Sequence, residues 1–183
     1  MNKLEQQRRS VVIGLGGLGV SQVIPQNFLE AQSAALQAYV LNPTEGEHLV
    51  HFRDHGNIFI KAGSATGSNN LAFGTQQVTR GAGIPVHRHF EMDEAFYVLE
   101  GSGTATLNDV PHTFAKGASI FIPRSTWHGF NNPEHELLVL WIVTPAGLDG
   151  FFRETCGPPG APPKQLSREQ IKDIALKYKT EFR

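Results

Sequence analysis

The chain has 183 residues, 40% of them hydrophobic, with 16 basic against 17 acidic side chains and a net charge of −1. That is enough apolar material for one sizeable core in a single domain. The balanced charge, with no Lys or Arg cluster beyond Arg8-Arg9, excludes the electrostatic footprint of a nucleic-acid partner.

Residues 1–35 differ from the rest. Arg8 and Arg9 precede a 14-residue apolar run over 11–24 that contains four glycines, followed by Pro25 and the small residues Ser33, Ala34 and Ala35. A charged start, a short apolar stretch and a small-residue region form the pattern of an export signal. The paired arginines ahead of aliphatic residues resemble a twin-arginine signal, with cleavage expected after Ser33 or Ala35. The run is too short and too rich in glycine to be a stable spanning helix. The mature chain is therefore expected in the periplasm or outside the cell, without stable membrane insertion.

Residues 36–47 read as a polar connector. Ten short runs with strand character then follow, near 48–53, 57–62, 71–79, 86–90, 94–99, 103–107, 112–114, 119–122, 127–131 and 137–143, separated by Gly-, Asn- and Pro-containing turns. Many short strands without a long amphipathic helix among them imply an all-β antiparallel barrel or sandwich over 48–156. The Gly/Pro-rich stretch 157–166 cannot pair into a sheet or form a helix, and so closes it. Ser167, with Gln170 as capping-box partner, predicts a C-terminal helix in 167–183, running over 168–180. Its stripe of Ile171, Ile174, Ala175 and Tyr178 would pack on the barrel or on a second subunit. Cys156, the lone cysteine, has no disulfide partner and no neighbouring base, so it reads as an inert thiol.

The chemistry concentrates in two segments. On a strand, His87 and His89 point to one face, and Glu94 lies five residues beyond His89. His128, on another strand-like run, completes a set of three nitrogens and one oxygen. That set suits one divalent transition metal (iron, manganese, nickel, cobalt, copper or zinc) better than calcium or magnesium. Strand alternation from these residues places Phe96, Val98, Phe130 and Phe73 as an apolar cup, suited to a small aromatic molecule. The lack of Lys, Arg or Tyr on that inner face argues against phosphorylated sugars. His48, His51, His55, His112 and His135 read as surface or loop residues, Glu91 and Asp93 as solvated, and Trp127 and Trp141 as outer packing or interface.

Gly81, His87, His89, Glu94 and Gly101 meet every spacing of the first motif of the cupin superfamily. Gly117, Pro123, His128 and Asn132 match the second, with Ser125 where Gly is usual and fifteen residues between the motifs. The chain thus resembles small single-domain cupins, which implies a jelly-roll barrel. The wider pattern DEAFYVLEG, PRSTWHGFNN and LWIVTPAGLDGFFRE is similar to bacterial flavonol (quercetin) dioxygenase-like cupins. This resemblance implies a ring-opening dioxygenase acting on a flavonol-like enolisable aromatic, with Glu94 both ligand and catalytic proton acceptor. The same barrel accommodates an isomerase, a decarboxylase or a non-enzymatic metal-dependent binding protein. A homodimer is the expected assembly for a small β domain with exposed edges.

Overall fold

The structure is a computed structural model that describes residues 37–183. The expected export signal lies outside the described residues. Eleven strands and two helices follow in order: β1 (Glu47–Val50), β2 (Asn57–Ala62), β3 (Ala72–Val78), β4 (Ile84–His89), β5 (Asp93–Glu100), β6 (Ser102–Leu107), β7 (Val110–Ala115), β8 (Ser119–Ile122), β9 (His128–Asn131), β10 (Leu137–Thr144), α1 (Leu148–Thr155), α2 (Arg168–Lys177) and β11 (Thr180–Phe182). They form two antiparallel sheets, ordered β1-β2-β3-β10-β5-β8 and β11-β4-β9-β6-β7. This is the all-β sandwich that the strand pattern implies, in the jelly-roll form that the resemblance implies, with a short helix near the C-terminus. All ten expected strands are present, their ends shifted by a few residues.

Alternation decides which side chains enter the core. In β10, Leu137, Val139, Trp141 and Val143 all face inward and are fully buried. Trp141, expected on the outside, is therefore core, with its ring centroid 5.4 Å from that of Phe152. Trp127 stays at the surface, between the guanidinium groups of Arg88 and Arg183 at 4.5 and 4.6 Å. In β5 the inward row is Glu94, Phe96 and Val98, so the carboxylate shares its face with core residues.

Two motif positions act on the backbone. Gly101, in the turn between β5 and β6, has φ +88°, and a Cβ there would lie 2.2 Å from the Glu136 carbonyl oxygen. Ser125 adopts φ 65°, the left-handed conformation that explains why glycine is usual at that point. Its N–H donates to the His89 carbonyl at 2.6 Å, tying the turn to a site-bearing strand. Asn132, fully buried, is a structural bolt: it accepts from the Gly83 N–H at 2.9 Å and donates to the carbonyls of Val78, Thr79 and His135.

The C-terminal region differs from expectation in two ways. Helix α1, which sequence reading missed, buries Leu148, Phe151 and Phe152. Its eight residues and internal Gly150 give it no helical signature long enough to read. Helix α2 starts at the expected cap, where the Gln170 N–H donates to the Ser167 hydroxyl, but it ends at Lys177 instead of 180. Lys179, at φ 57°, turns the chain into β11, which pairs Thr180 with His89 and Phe182 with His87. A tertiary strand partner outcompetes the last helical turn.

Candidate metal centre

β4 supplies His87 and His89, β5 supplies Glu94 and β9 supplies His128; β4 and β9 are neighbours, and His87 pairs directly with His128. One ligand atom from each of the four residues lies within 4.8 Å of all the others, and all four side chains are buried. Fitness for a metal can be judged from the outward-facing nitrogens. His87 Nδ1 lies 2.8 Å from the Pro85 carbonyl and His128 Nδ1 lies 2.9 Å from the Thr126 carbonyl. A carbonyl only accepts, so both imidazoles carry the proton on Nδ1. His89 Nδ1 lies 2.8 Å from the Thr180 hydroxyl, whose own proton goes to the Tyr178 carbonyl at 3.2 Å, so Nδ1 is again the donor. Three Nε2 atoms are thereby left to point inward as lone-pair donors, held from behind as metal-ligating histidines usually are.

The inner distances agree. Glu94 Oε2 lies 3.0 Å from His128 Nε2 and 3.2 Å from His89 Nε2. Two lone-pair atoms at such distances repel unless a proton or a cation lies between them. Ligands about 2.1 Å from a shared ion at right angles would be about 3.0 Å apart. The residues thus fit a divalent transition metal.

Electrostatics point the same way. Burial drives the His87 pKa well below the usual imidazole range, keeping it a neutral donor. Burial by itself would raise the Glu94 carboxyl. Positive charge on the His89 and His128 side of Oε2, supplied by protons on those rings when no ion is bound, outweighs it and holds the pKa below the usual carboxylate range. Glu94 Oε1 has no hydrogen-bond partner among the described residues.

A cavity of about 50 Å³ opens beside the cluster, lined by His87, His89 and Glu94 together with Phe96, Ile84, Pro85, Leu148, Phe151, Phe152, Thr180 and Phe182. Of the expected apolar cup, Phe96 lines the cavity. Phe130 and Val98 are core residues behind it, Phe130 packing on Phe96 at 4.8 Å. Phe73 falls on the opposite face of β3 from the buried row of Ala72, Gly74, Gln76 and Val78, because the strand period puts odd and even positions on different sides. The apolar wall comes instead from α1 and β11, neither of which was visible as a site element in the sequence.

The wall is also more polar than expected. His51, Arg53 and Gln76 line the same cavity. The expected strand over 48–53 ends at Val50, and the turn that follows carries His51 and Arg53 inward instead of leaving His51 at the surface. His51 is buried, with Nδ1 2.7 Å from Asp54 Oδ1, a shorter contact than the 3.3 Å approach of the Arg53 N–H to the same nitrogen. The carboxylate thus holds the proton on Nδ1. The other histidines outside the cluster behave as expected: His55, His112 and His135 are exposed, while His48 is half-buried and stacks on Phe59. Glu91 is exposed, whereas Asp93 is half-buried at the start of β5. Two hydrogen bonds from the Arg124 guanidinium and one from its backbone N–H lower the Asp93 pKa to about 2. Cys156 is buried, and burial raises its thiol pKa, as an inert thiol requires.

Residues 74–144 match the cupin domain family. An uncharacterized protein of Methanocaldococcus jannaschii is 35% identical over 69 residues, covering 34% of this chain and 55% of the relative. The dimethylsulfoniopropionate lyase DddW of Ruegeria pomeroyi is 30% identical over 106 residues, covering 57% of this chain and 63% of the relative. The match therefore spans less than two thirds of either curated relative. The crystal structure of an RmlC-like cupin from Shewanella frigidimarina shares the fold at 19% identity, with a TM-score of 0.53 over 62% of this chain and 96% of that one. The two motifs and the matched stretch are thus cupin-like, and the two-sheet barrel is the fold of that neighbour.

Proposed function

We propose that the protein is a metal-dependent cupin enzyme acting on a small enolisable molecule, and that the reaction is a dioxygenation. The carrying observation is the convergence of three Nδ1-protonated histidines and one carboxylate on a buried point beside a cavity. His87, His89, His128 and Glu94 would hold one divalent transition ion. When bound, the ion supplies a Lewis-acidic centre that polarises a substrate oxygen and makes a neighbouring proton easier to remove. Glu94 Oε1, free of hydrogen bonds among the described residues, is the atom that accepts this proton, while Oε2 stays on the histidine side. Phe96, Phe151 and Phe152 exclude water from the reacting atoms.

The test is dioxygen uptake by the full chain, loaded separately with iron(II), manganese, nickel, cobalt and copper, against flavonols and smaller enolisable compounds. Uptake with one metal that is lost in His87→Ala supports a dioxygenase. A second reading, a non-oxidative lyase, isomerase or decarboxylase, draws on the likeness to DddW. Substrate consumption without oxygen uptake would favour it, and binding without turnover in fully metallated protein would favour a binding protein. We further propose export through the N-terminal segment, testable by sequencing the N-terminus of the protein from its native cell, and a homodimer, testable by light scattering.

A further inference from the structure

The cavity joins two unlike chemistries. One side carries the His/Glu cluster; the same space is lined by Arg53, Gln76 and His51, none of which is needed to hold an ion. Each has hydrogen-bonding capacity that the described residues leave unused. Arg53 donates through Nη2 to the Gly83 carbonyl at 2.7 Å, but its buried Nε has no partner. No carboxylate among the described residues lies within ion-pair distance of it. The nearby Asp54 faces His51 and the Thr79 N–H instead. Gln76 is only 5% exposed, and its side-chain amide makes no hydrogen bond among the described residues. His51, with its proton held on Nδ1 by Asp54, presents Nε2 as an acceptor.

A half-buried guanidinium whose Nε is sealed from water and which has no counter-ion is costly in an apolar setting, and an anion able to engage its planar fork stabilises it. Three neutral imidazoles and one carboxylate around a divalent cation leave a residual positive charge, to which Arg53 adds another. The cavity is therefore complementary to a negative ligand. Its volume of about 50 Å³ suits a molecule far smaller than a drug-sized ligand, which occupies roughly 300 Å³ or more.

We propose that Arg53 and Gln76 form a carboxylate-binding wall, so that the natural ligand is a small carboxylate whose hydroxyl or enolisable carbonyl group lies toward His51 and the metal cluster. The inference rests on the proposed function only for the presence of an ion beside this wall. Arg53 and Gln76 are positioning residues for the carboxylate, and His51 accepts from the ligand hydroxyl.

Titration calorimetry with pyruvate and lactate, each against its neutral amide, tests this in full-length protein, both manganese-loaded and metal-free. The carboxylates are expected to bind more tightly than the amides. Arg53→Gln is expected to weaken carboxylate binding roughly ten- to a hundred-fold while leaving the amides and the manganese content unchanged. Arg53→Lys, which keeps the charge and loses the fork, should fall between them and serves where Arg53→Gln does not fold. Gln76→Met should weaken the carboxylates by a smaller factor. Equal binding of acid and amide to the parent protein, or carboxylate affinity unchanged in a folded Arg53→Gln variant, overturns the proposal. If the chain takes up none of iron(II), manganese, nickel, cobalt or copper, the metal-enzyme reading fails, and the metal-free titrations of the same variants still decide the carboxylate wall.

Discussion

Thr180→Val tests whether the strand at the end of the chain supports the centre. The substitution keeps the β-branched shape and removes only the hydroxyl. In the parent protein that hydroxyl accepts from His89 Nδ1 at 2.8 Å and donates to the Tyr178 carbonyl at 3.2 Å. Both Thr180 and His89 are almost fully buried, at 1% and 2% exposure, so water cannot readily replace the lost acceptor. An orphaned buried donor costs about 1–3 kcal/mol. If this cost falls on the ligating state, metal affinity drops about 5- to 150-fold, within the range seen when the partner of a ligating histidine is removed. Competition with a chromophoric chelator for cobalt(II) measures it, and Thr180→Ser, which restores the hydroxyl, should recover most of the loss. Thr180→Val protein that binds cobalt as tightly as the parent, with an unchanged melting curve, would refute the tautomer argument. So would a Ser variant as weak as the Val one.

Other perturbations probe separate parts of the molecule. Glu94→Gln should lower metal occupancy and any turnover together, because one residue supplies both the oxygen donor and the free Oε1; plasma emission of dialysed protein and the assay above read the two losses. Asn132→Ala removes hydrogen bonds to four backbone groups and should cost about 3–5 kcal/mol in urea unfolding, a loss under about 1 kcal/mol contradicting its bolt role. Ser125→Gly relieves a left-handed residue while keeping its N–H, and should gain about 0.5–1 kcal/mol, read as a rise in melting temperature. Burial lowers the pKa of His51 and of His87 below that of the unfolded chain. Their contribution to stability is thus complete above the ordinary imidazole value near ~6.5 and is lost as pH falls below it toward the folded-state values. Metal-free protein should therefore unfold at progressively lower urea as pH drops below about 6.5, and a flat or rising midpoint would contradict the burial argument.

What the amino-acid sequence determined by itself is local. His87 and His89 share a face because strands repeat every two residues, Glu94 follows at a turn-spanning distance, and Ser167 with Gln170 marks a helix start through contacts three residues apart. The four-residue cluster was legible for that reason, with a motif spacing to anchor His128. The cavity was not. Gln76 was the one readable hint, a polar side chain in register with the buried Ala72, Gly74 and Val78. Arg53 and His51 arrive through a turn that ends β1 early, and Phe151 and Phe152 through a helix too short to carry a periodic signal. Thr180 supports His89 from 91 positions away. Pairing β11 with β4 makes that contact, and no local pattern encodes it, because only the folded chain decides which strand edges meet and which side chains close the space between two sheets.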